Sequence, residues 1–237
     1  MSSRSLPPRL AAVLDLLGPC TVLADVGTDH GLVPVAAVQR GLCVRALATD
    51  VREAPLLAAR MTVEAAELED LVRLRRGDGL RALDGEAADG VVMAGMSGTL
   101  MVRLLGDAAR LGRGIQQVIL QPNKDQDLVR TWALHNAWHL RDERMVHEHD
   151  RWYVALAFTP GQGADPAYAG LPLSTEALTQ VGPHLVRRAD PLMRAWCLAQ
   201  VARLEQFVTH AAHPLAAQLQ QFRDVLALVS ESSGRPG

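Results

Sequence analysis

The 237-residue chain is long enough for one large α/β domain, or for one domain with a small appendage. Hydrophobic residues make up 49% of it and the formal net charge is −2, which predicts a substantial core and argues against indiscriminate coating of nucleic acid. No apolar run approaches the ~18 residues of a membrane helix, and the start lacks a signal-peptide core. We therefore expect a cytoplasmic protein with no membrane association.

The possible metal and disulfide ligands form no recognisable motif. Cys20, Cys43 and Cys197 stand far apart without a C-x-x-C pair, which predicts reduced, mostly buried thiols. The segment "HEHD" (residues 147–150) could suggest a metal site, but alternate residues of a strand point in opposite directions. We expect a solvated turn there and no metal.

Strands and helices alternate along the first two thirds of the chain. The predicted strands carry the segments TVLADV, CVRALATDV, LVRLRRGDGL, ADGVVMAGMSG, QQVILQPN, WHLRDERMVHE and RWYVALAFTP. Helical patterns occur in VPVAAVQR, REAPLLAARMTVEAAELED, TLMVRLLGDAARL and DQDLVRTWALHNA. We expect helices between the first five strands, which therefore run parallel.

The last two predicted strands are joined by a short turn near His149 and Asp150, which forces them to be antiparallel. A seven-stranded sheet that is parallel until its final strand is the architecture of class I methyltransferases, a Rossmann-like fold. A plain dinucleotide-binding domain would normally continue parallel. The pattern therefore favours the methyltransferase fold. An NAD oxidoreductase is an alternative, which is disfavoured because this sequence has no G-x-G-x-x-G motif.

A Gly/Pro/Ala-rich segment, "GQGADPAYAGLPLS", follows the last strand and is typical of a domain linker. Two amphipathic helical patterns then follow, each with an apolar stripe, and Pro214 separates them. We predict a cofactor-binding domain over residues 1–159, followed by a linker and a C-terminal helical hairpin over residues 160–237. The hairpin could equally pack on the first domain or dimerise, and the sequence leaves the oligomeric state open.

Polar or glycine-rich turns follow all of the first five strands. Because ligands of open α/β sheets bind beyond the carboxyl ends of the strands, these turns predict the site. Asp50 follows the second strand and suits a ribose, whether of NAD or of another nucleoside cofactor. Asp78 suits an exocyclic adenine amine, although an aspartate between two glycines is also a common turn former.

The motifs together resemble those of a known family, the bacterial tRNA adenine-N1 methyltransferases that modify adenine 22. The resemblance runs in order through "RL" at Arg9, "ADVGTDHG", "GDGL", "AGMSGTL", "VILQPN" and "GPHL" (residues 182–185), and so spans nearly the whole chain. The family usually has an aromatic residue where this chain has Leu32, and a glycine where it has Ser97. These differences concern the substrate pocket more than the fold.

The resemblance implies S-adenosylmethionine as cofactor and tRNA as partner. The predicted cofactor-binding residues are Asp25, Gly27, Gly31, Asp50, Asp78, Gly95 and Met96. The predicted catalytic residues are Asp29 and His30, and the predicted substrate-binding residues are Gln121, Asn123, Arg187, Arg188 and Arg194.

Asp29 would be unfavourable beside a pyrophosphate but is compatible with a sulfonium. It could accept a hydrogen bond from the target adenine, or it could simply cap the following helix. His30 is expected to organise the loop or contact the substrate. No N-P-P-Y motif follows the fourth strand and no cysteine lies at the site face, which is consistent with methylation of a ring nitrogen. The alternatives are a small-molecule methyltransferase and a non-catalytic nucleic-acid-binding protein on the same scaffold.

Overall fold

A computed structural model of the chain describes residues 6–106, 114–210 and 212–232. Within them, seven strands form one sheet in the order β3-β2-β1-β4-β5-β7-β6. The strands are β1 (Cys20–Val26), β2 (Cys43–Asp50), β3 (Val72–Arg76), β4 (Gly90–Ala94), β5 (Gln117–Gln121), β6 (Trp138–Glu148) and β7 (Arg151–Pro160). The helices are α1 (Pro8–Leu16), α2 (Leu32–Gln39), α3 (Glu53–Ala65), α4 (Gly98–Leu105), α5 (Gln126–His135), α6 (Thr175–Val181), α7 (Pro183–Arg187), α8 (Pro191–Glu205) and α9 (Ala216–Ser232).

The sheet is parallel from β1 to β5, and β7 is antiparallel to both of its neighbours, β5 and β6. The turn between β6 and β7 contains His149 and Asp150, whose φ angles of 48° and 59° are both positive. The predicted α/β fold class, with its closing hairpin, is confirmed. The antiparallel strand β7 is inserted between β5 and β6, which leaves β6 at the edge of the sheet.

Side chains from both faces of the sheet are buried, as expected for parallel strands covered by helices. The neighbouring β4 residues Val91 and Val92 are both fully buried and belong to different hydrophobic clusters. One cluster includes α1 and α2, and the other includes α4, α5 and the C-terminal helices.

Two features of the fold differ from the sequence-based expectation. The predicted helix between the third and fourth strands is wrong, because only a 3-10 segment (Gly79–Leu83) is present there. Gly77, Gly79 and Gly85 all fall in this short connection, and glycine disfavours a helix. Helix α1 was not predicted; it begins with Pro8 in its first turn and packs on β6 and β7.

The segment that follows β7 packs on the first domain. Asp165 accepts a hydrogen bond from the Leu140 backbone N–H of β6 at 2.8 Å, and α6 packs on α5. Helices α8 and α9 pack against each other, with the Trp196 and Phe222 rings 5.3 Å apart edge to face. Residues of α8 and α9 also belong to the hydrophobic cluster that includes α4 and α5. The predicted boundary at residue 159 stays a prediction.

A buried ion pair joins α6 and α7 to the first domain. Arg130 of α5 and Glu143 of β6 have no exposed side-chain surface, and the guanidinium donates two hydrogen bonds to the carboxylate, at 3.0 and 2.6 Å. Arg130 also donates to the Thr179 carbonyl at 2.8 Å, and Glu143 accepts from the His184 backbone N–H at 2.8 Å. The "GPHL" motif thus has a structural explanation as the docking point of this segment.

Candidate active site

The loops at the carboxyl ends of the strands enclose a cavity of about 760 Å³. The lining includes most of the predicted site residues, namely Asp25, Gly27, Asp29, His30, Asp50, Asp78, Gly95, Met96 and Asn123. Gly31, Gln121, Arg187, Arg188 and Arg194 do not line it. Since these loops follow different strands, the topology of the sheet is what brings them together.

The turn after β1 is held against the end of β2. The backbone N–H groups of Gly27 and Thr28 both donate to the Thr49 carbonyl, each at 2.8 Å. Gly27 has a φ of +83°, and a β-carbon there would lie 2.6 Å from the Met96 Cε. Gly31 has a φ of +68° and packs against Ala59 of α3, so it shapes the turn without lining the cavity. Both glycines are therefore required by the backbone.

Two carboxylates lie deep in the cavity. Burial is the main cause that raises the pKa of Asp25 to about 6, and the negative charge of Asp50 raises it further. The Asp50 Oδ1 accepts a hydrogen bond from the Arg52 backbone N–H at 2.7 Å. The Asp50 Oδ2 accepts none from the residues that the structure describes, so it is available to a ligand.

Asp29 and His30 lie at the mouth of the cavity. Their side chains are 75% and 59% exposed, and the His30 Nε2 lies 3.4 Å from an Asp29 carboxylate oxygen. The residue that caps α2 is Gly31, and no side chain caps this helix. The alternative that Asp29 serves as the helix cap therefore finds no support, and its carboxylate is free to contact a substrate.

The loops after β4 and β5 brace each other. Asn123 donates from its side chain to the Gly95 carbonyl at 2.6 Å, and from its backbone N–H to the Met96 carbonyl at 2.8 Å. Gln121 is fully buried and donates to the Pro122 carbonyl at 3.1 Å, so its predicted substrate contact has no exposed surface in this structure. Ser97 caps α4 by accepting from the Leu100 N–H at 3.2 Å. The serine therefore fits this turn.

The three arginines predicted to bind the substrate lie on α7 and α8 or just beyond α7, outside the cavity. Arg187 donates to the carbonyls of Ala167 and Ala169, at 3.0 and 2.9 Å. Arg188 donates to the Asp142 carboxylate at 2.6 Å. Arg194 is exposed and forms no ion pair with the described residues. Of the three arginines, Arg194 is the one whose guanidinium has no hydrogen bond or ion pair to the described residues.

One wall of the cavity was not predicted as part of the site. It is formed by Arg9 of α1 and by Glu148, His149 and Tyr153 of the β6–β7 hairpin. Arg9 and Glu148 are 139 positions apart in the chain and belong to no local motif, so only the "RL" of the family pattern pointed to this wall. Arg103 of α4 also lines the cavity.

Neither a membrane segment nor a metal centre is found in the described ranges. No helix there is long and apolar enough to cross a bilayer. No group of three or more histidine, cysteine, aspartate or glutamate side chains there could hold a metal ion.

The parallel sheet with one inserted antiparallel strand, and the cavity at its carboxyl edge, define a class I methyltransferase domain. Residues 6–156 match the family described as "Methyltransferase domain". The chain is 32% identical to the tRNA (adenine(22)-N(1))-methyltransferase of Bacillus subtilis over 83% of this chain and 82% of that protein. The chain belongs to this tRNA methyltransferase family, which confirms the resemblance found in the motifs.

Solved structures of similar proteins cover almost the whole chain. The crystal structure of the B. subtilis M1A22 tRNA methyltransferase TrmK has 28% identity and a TM-score of 0.80, covering 97% of this chain and 99% of that one. A putative tRNA (m1A22) methyltransferase from Streptococcus pneumoniae, in complex with S-adenosyl-L-methionine, has 28% identity and a TM-score of 0.81. That comparison covers 95% of this chain and all of the other.

Proposed function

We propose that the chain transfers a methyl group from S-adenosylmethionine to N1 of adenine 22 in tRNA. The observation that carries this proposal is the single cavity in which Asp25, Gly27, Asp50, Asp78 and Met96 meet at the carboxyl edge of the sheet. Further support is that the similar S. pneumoniae structure is a complex with S-adenosyl-L-methionine. The B. subtilis relative is named a tRNA (adenine(22)-N(1))-methyltransferase.

The cofactor would be held along the ends of β1, β2 and β3. The free Oδ2 of Asp50 would accept from the ribose hydroxyls, and Asp78 would accept from the adenine amine of the cofactor. Asp78 forms no capping hydrogen bond with its own turn, so its carboxylate is available. The glycine turn and Asp25 would face the cationic methionine part, whose charge suits an anionic site.

The target adenine would enter at the mouth of the cavity, beside Asp29. When bound, the cofactor supplies an electrophilic methyl group that the in-plane lone pair of N1 can attack directly. Asp29 would accept from the exocyclic amine and orient N1 toward the methyl. The methylated ring becomes cationic, so a nearby carboxylate also stabilises the charge that develops in the transition state. The residues thus act by orientation and electrostatics.

The body of the tRNA needs contacts outside the cavity. We assign phosphate contacts first to Arg103 at the cavity and to Arg194 on α8, both exposed. Arg187 and Arg188 donate hydrogen bonds to the Ala167 carbonyl and the Asp142 carboxylate, respectively. Substituting either arginine would therefore also disturb the packing of α7. A local basic surface suffices for tRNA although the net charge is −2.

The decisive experiment is methylation of purified tRNA by the full chain, followed by nucleoside analysis and mapping of the modified position. We expect 1-methyladenosine at position 22 and none in a tRNA whose adenine 22 is replaced. Asp50→Ala should lower the activity because it weakens binding of the cofactor, and the fold should remain intact. Cofactor binding without any methylated tRNA would instead favour a small-molecule methyltransferase. Failure to bind the cofactor would favour a non-catalytic protein.

A further inference from the structure

One wall of the cavity is formed by Arg9, Glu148 and Tyr153, and direct contacts connect these three side chains. The Arg9 backbone N–H donates to the Glu148 Oε2 at 3.0 Å, and its guanidinium donates to Oε1 at 2.5 Å. The Arg9 Cζ lies 5.8 Å from the centre of the Tyr153 ring. One carboxylate thus fixes both ends of an arginine that lies over an aromatic ring.

Glu148 is suited to hold Arg9. Its side chain is only 6% exposed. Burial alone would raise the pKa of Glu148, but the hydrogen bonds and charge of Arg9 outweigh burial and keep that pKa below its ordinary value. The carboxylate is therefore ionised, and it offsets the charge that Arg9 brings into the cavity.

Apart from Tyr153, the aromatic rings among the described lining residues are the imidazoles of His30 and His149. Among the described lining residues, Tyr153 is the only phenylalanine, tyrosine or tryptophan. The remaining polar lining includes the carboxylates of Asp25, Asp29 and Asp50, which suit the cofactor and the edge of a base. A flat ring and a guanidinium plane are the surfaces on which proteins stack an unpaired nucleobase.

We propose that Tyr153 and Arg9 form the platform on which the target adenine stacks, and that Glu148 is a positioning residue which fixes Arg9. The inference rests on the proposed function, and it names the residues that bind the face of the base while Asp29 binds its edge. Methylation turns adenine into a cation, which a tyrosine ring face also stabilises.

Tyr153 gives the first test, through two substitutions in the full chain. Tyr153→Phe keeps the ring and should leave kcat/KM for tRNA within about twofold of the wild type. Tyr153→Leu removes the ring and should lower kcat/KM by roughly 5- to 150-fold, the range for losing one stacked base. The dissociation constant for S-adenosylmethionine should stay within about twofold in both variants.

Trp152→Leu is the matched control. Trp152 precedes Tyr153 on β7, does not line the cavity, and contacts His147 with ring centres 4.3 Å apart. An equal loss of activity in Trp152→Leu and Tyr153→Leu would mean that only the integrity of the hairpin matters, and would overturn the platform. Full activity of a folded Tyr153→Leu protein would overturn it as well.

Arg9→Lys gives an independent test, which applies even if Tyr153→Leu does not fold. A lysine keeps the charge beside Glu148 but has no plane for stacking. We expect a rise in KM for tRNA with unchanged cofactor affinity and melting temperature. Wild-type KM in Arg9→Lys would show that the arginine serves only as an ion-pair partner. Absence of tRNA methylation by the wild type would refute the proposed function itself, a distinct result.

Discussion

The guanidinium of Arg130 lies 2.6 Å from the carboxylate of Glu143, and neither side chain has any exposed surface. Removing one partner of such a pair leaves an unpaired charge in the interior. We predict that Arg130→Met lowers the free energy of unfolding by about 3–5 kcal/mol. Urea denaturation of the full chain would measure it, and a loss below 1 kcal/mol would contradict this assignment.

The double variant Arg130→Met/Glu143→Leu separates the effect of the unpaired charge from the effect of the lost hydrogen bonds. With both charges gone, we expect it to be more stable than Arg130→Met alone. Recovery should be incomplete, because the Thr179 carbonyl and the His184 N–H would lose their partners. A double variant less stable than Arg130→Met would show that the unpaired Glu143 carboxylate is not the cause of the loss in the single variant.

The sequence was sufficient to predict the parallel part of the sheet and to bring several candidate site residues to one edge of it. Parallel strands have buried, β-branched runs and end in polar turns, so their order along the chain already places Asp25, Asp50 and Asp78 at one edge. The closing hairpin followed from the short turn at His149 and Asp150. These are local features, and each could be recognised within a single segment.

The opposite wall of the cavity could not be predicted in the same way. Arg9 and Glu148 meet only because α1 packs on β6 and β7. Neither residue belongs to a local sequence pattern that predicts the contact. The role of Gly182 was equally hidden. A β-carbon there would lie 2.5 Å from the Glu143 carboxylate, which is a tertiary constraint that no spacing reveals.

Burial of Asp25 should destabilise the cofactor-free protein at neutral pH. The pKa of this carboxyl is about 6 in the folded chain and ordinarily 3.8, so the folded state binds the proton more tightly. The associated stability is fully present below pH 3.8 and is lost as the pH rises through about 6. We predict that Asp25→Asn raises the free energy of unfolding at pH 7.5 by up to about 3 kcal/mol. Denaturation from about pH 4 to pH 8 would test this, and a variant less stable than the wild type at pH 7.5 would contradict it.

Affinity for the cofactor should depend on pH through the same residue. If the cationic methionine part lies near Asp25, binding requires the ionised carboxylate, whose pKa is about 6. We expect affinity to be constant above about pH 7 and to fall below pH 6, by at most about tenfold per pH unit. Calorimetry would measure it. Asp25→Asn should bind weakly at all these pH values without that dependence, and a parallel fall in the variant would assign the titration to another group.

Arg194 provides a test of tRNA binding outside the cavity. We predict that Arg194→Ala weakens tRNA binding and reduces the log–log dependence of affinity on salt by about one unit. Arg45→Ala is the matched control, because Arg45 is also exposed but lies near the start of β2, at the sheet edge opposite the cavity. Equal effects of the two substitutions would argue for diffuse attraction instead of a defined contact.

Asp29 is the residue on which the proposed orientation of the target base depends. Its side chain is 75% exposed at the cavity mouth and does not cap α2, so substituting it should leave the melting temperature unchanged. Asp29→Asn keeps the size of the side chain but removes its negative charge. That charge would strengthen the hydrogen bond from the adenine amine and would face the methylated, cationic ring. A hydrogen bond to a charged group is worth about 1.5–3 kcal/mol, so kcat/KM should fall by roughly 10- to 150-fold.

Two comparisons make the Asp29 prediction specific. Asp29→Ala should lose at least as much activity as Asp29→Asn, and both should keep wild-type affinity for S-adenosylmethionine, because the contact is with the base. A helix cap would behave differently, since asparagine caps about as well as aspartate while alanine costs about 0.5–2 kcal/mol of stability. Methylation of tRNA by Asp29→Asn at the wild-type rate would remove Asp29 from the reaction and leave the orientation of N1 to the stacking surface and the loop after β4.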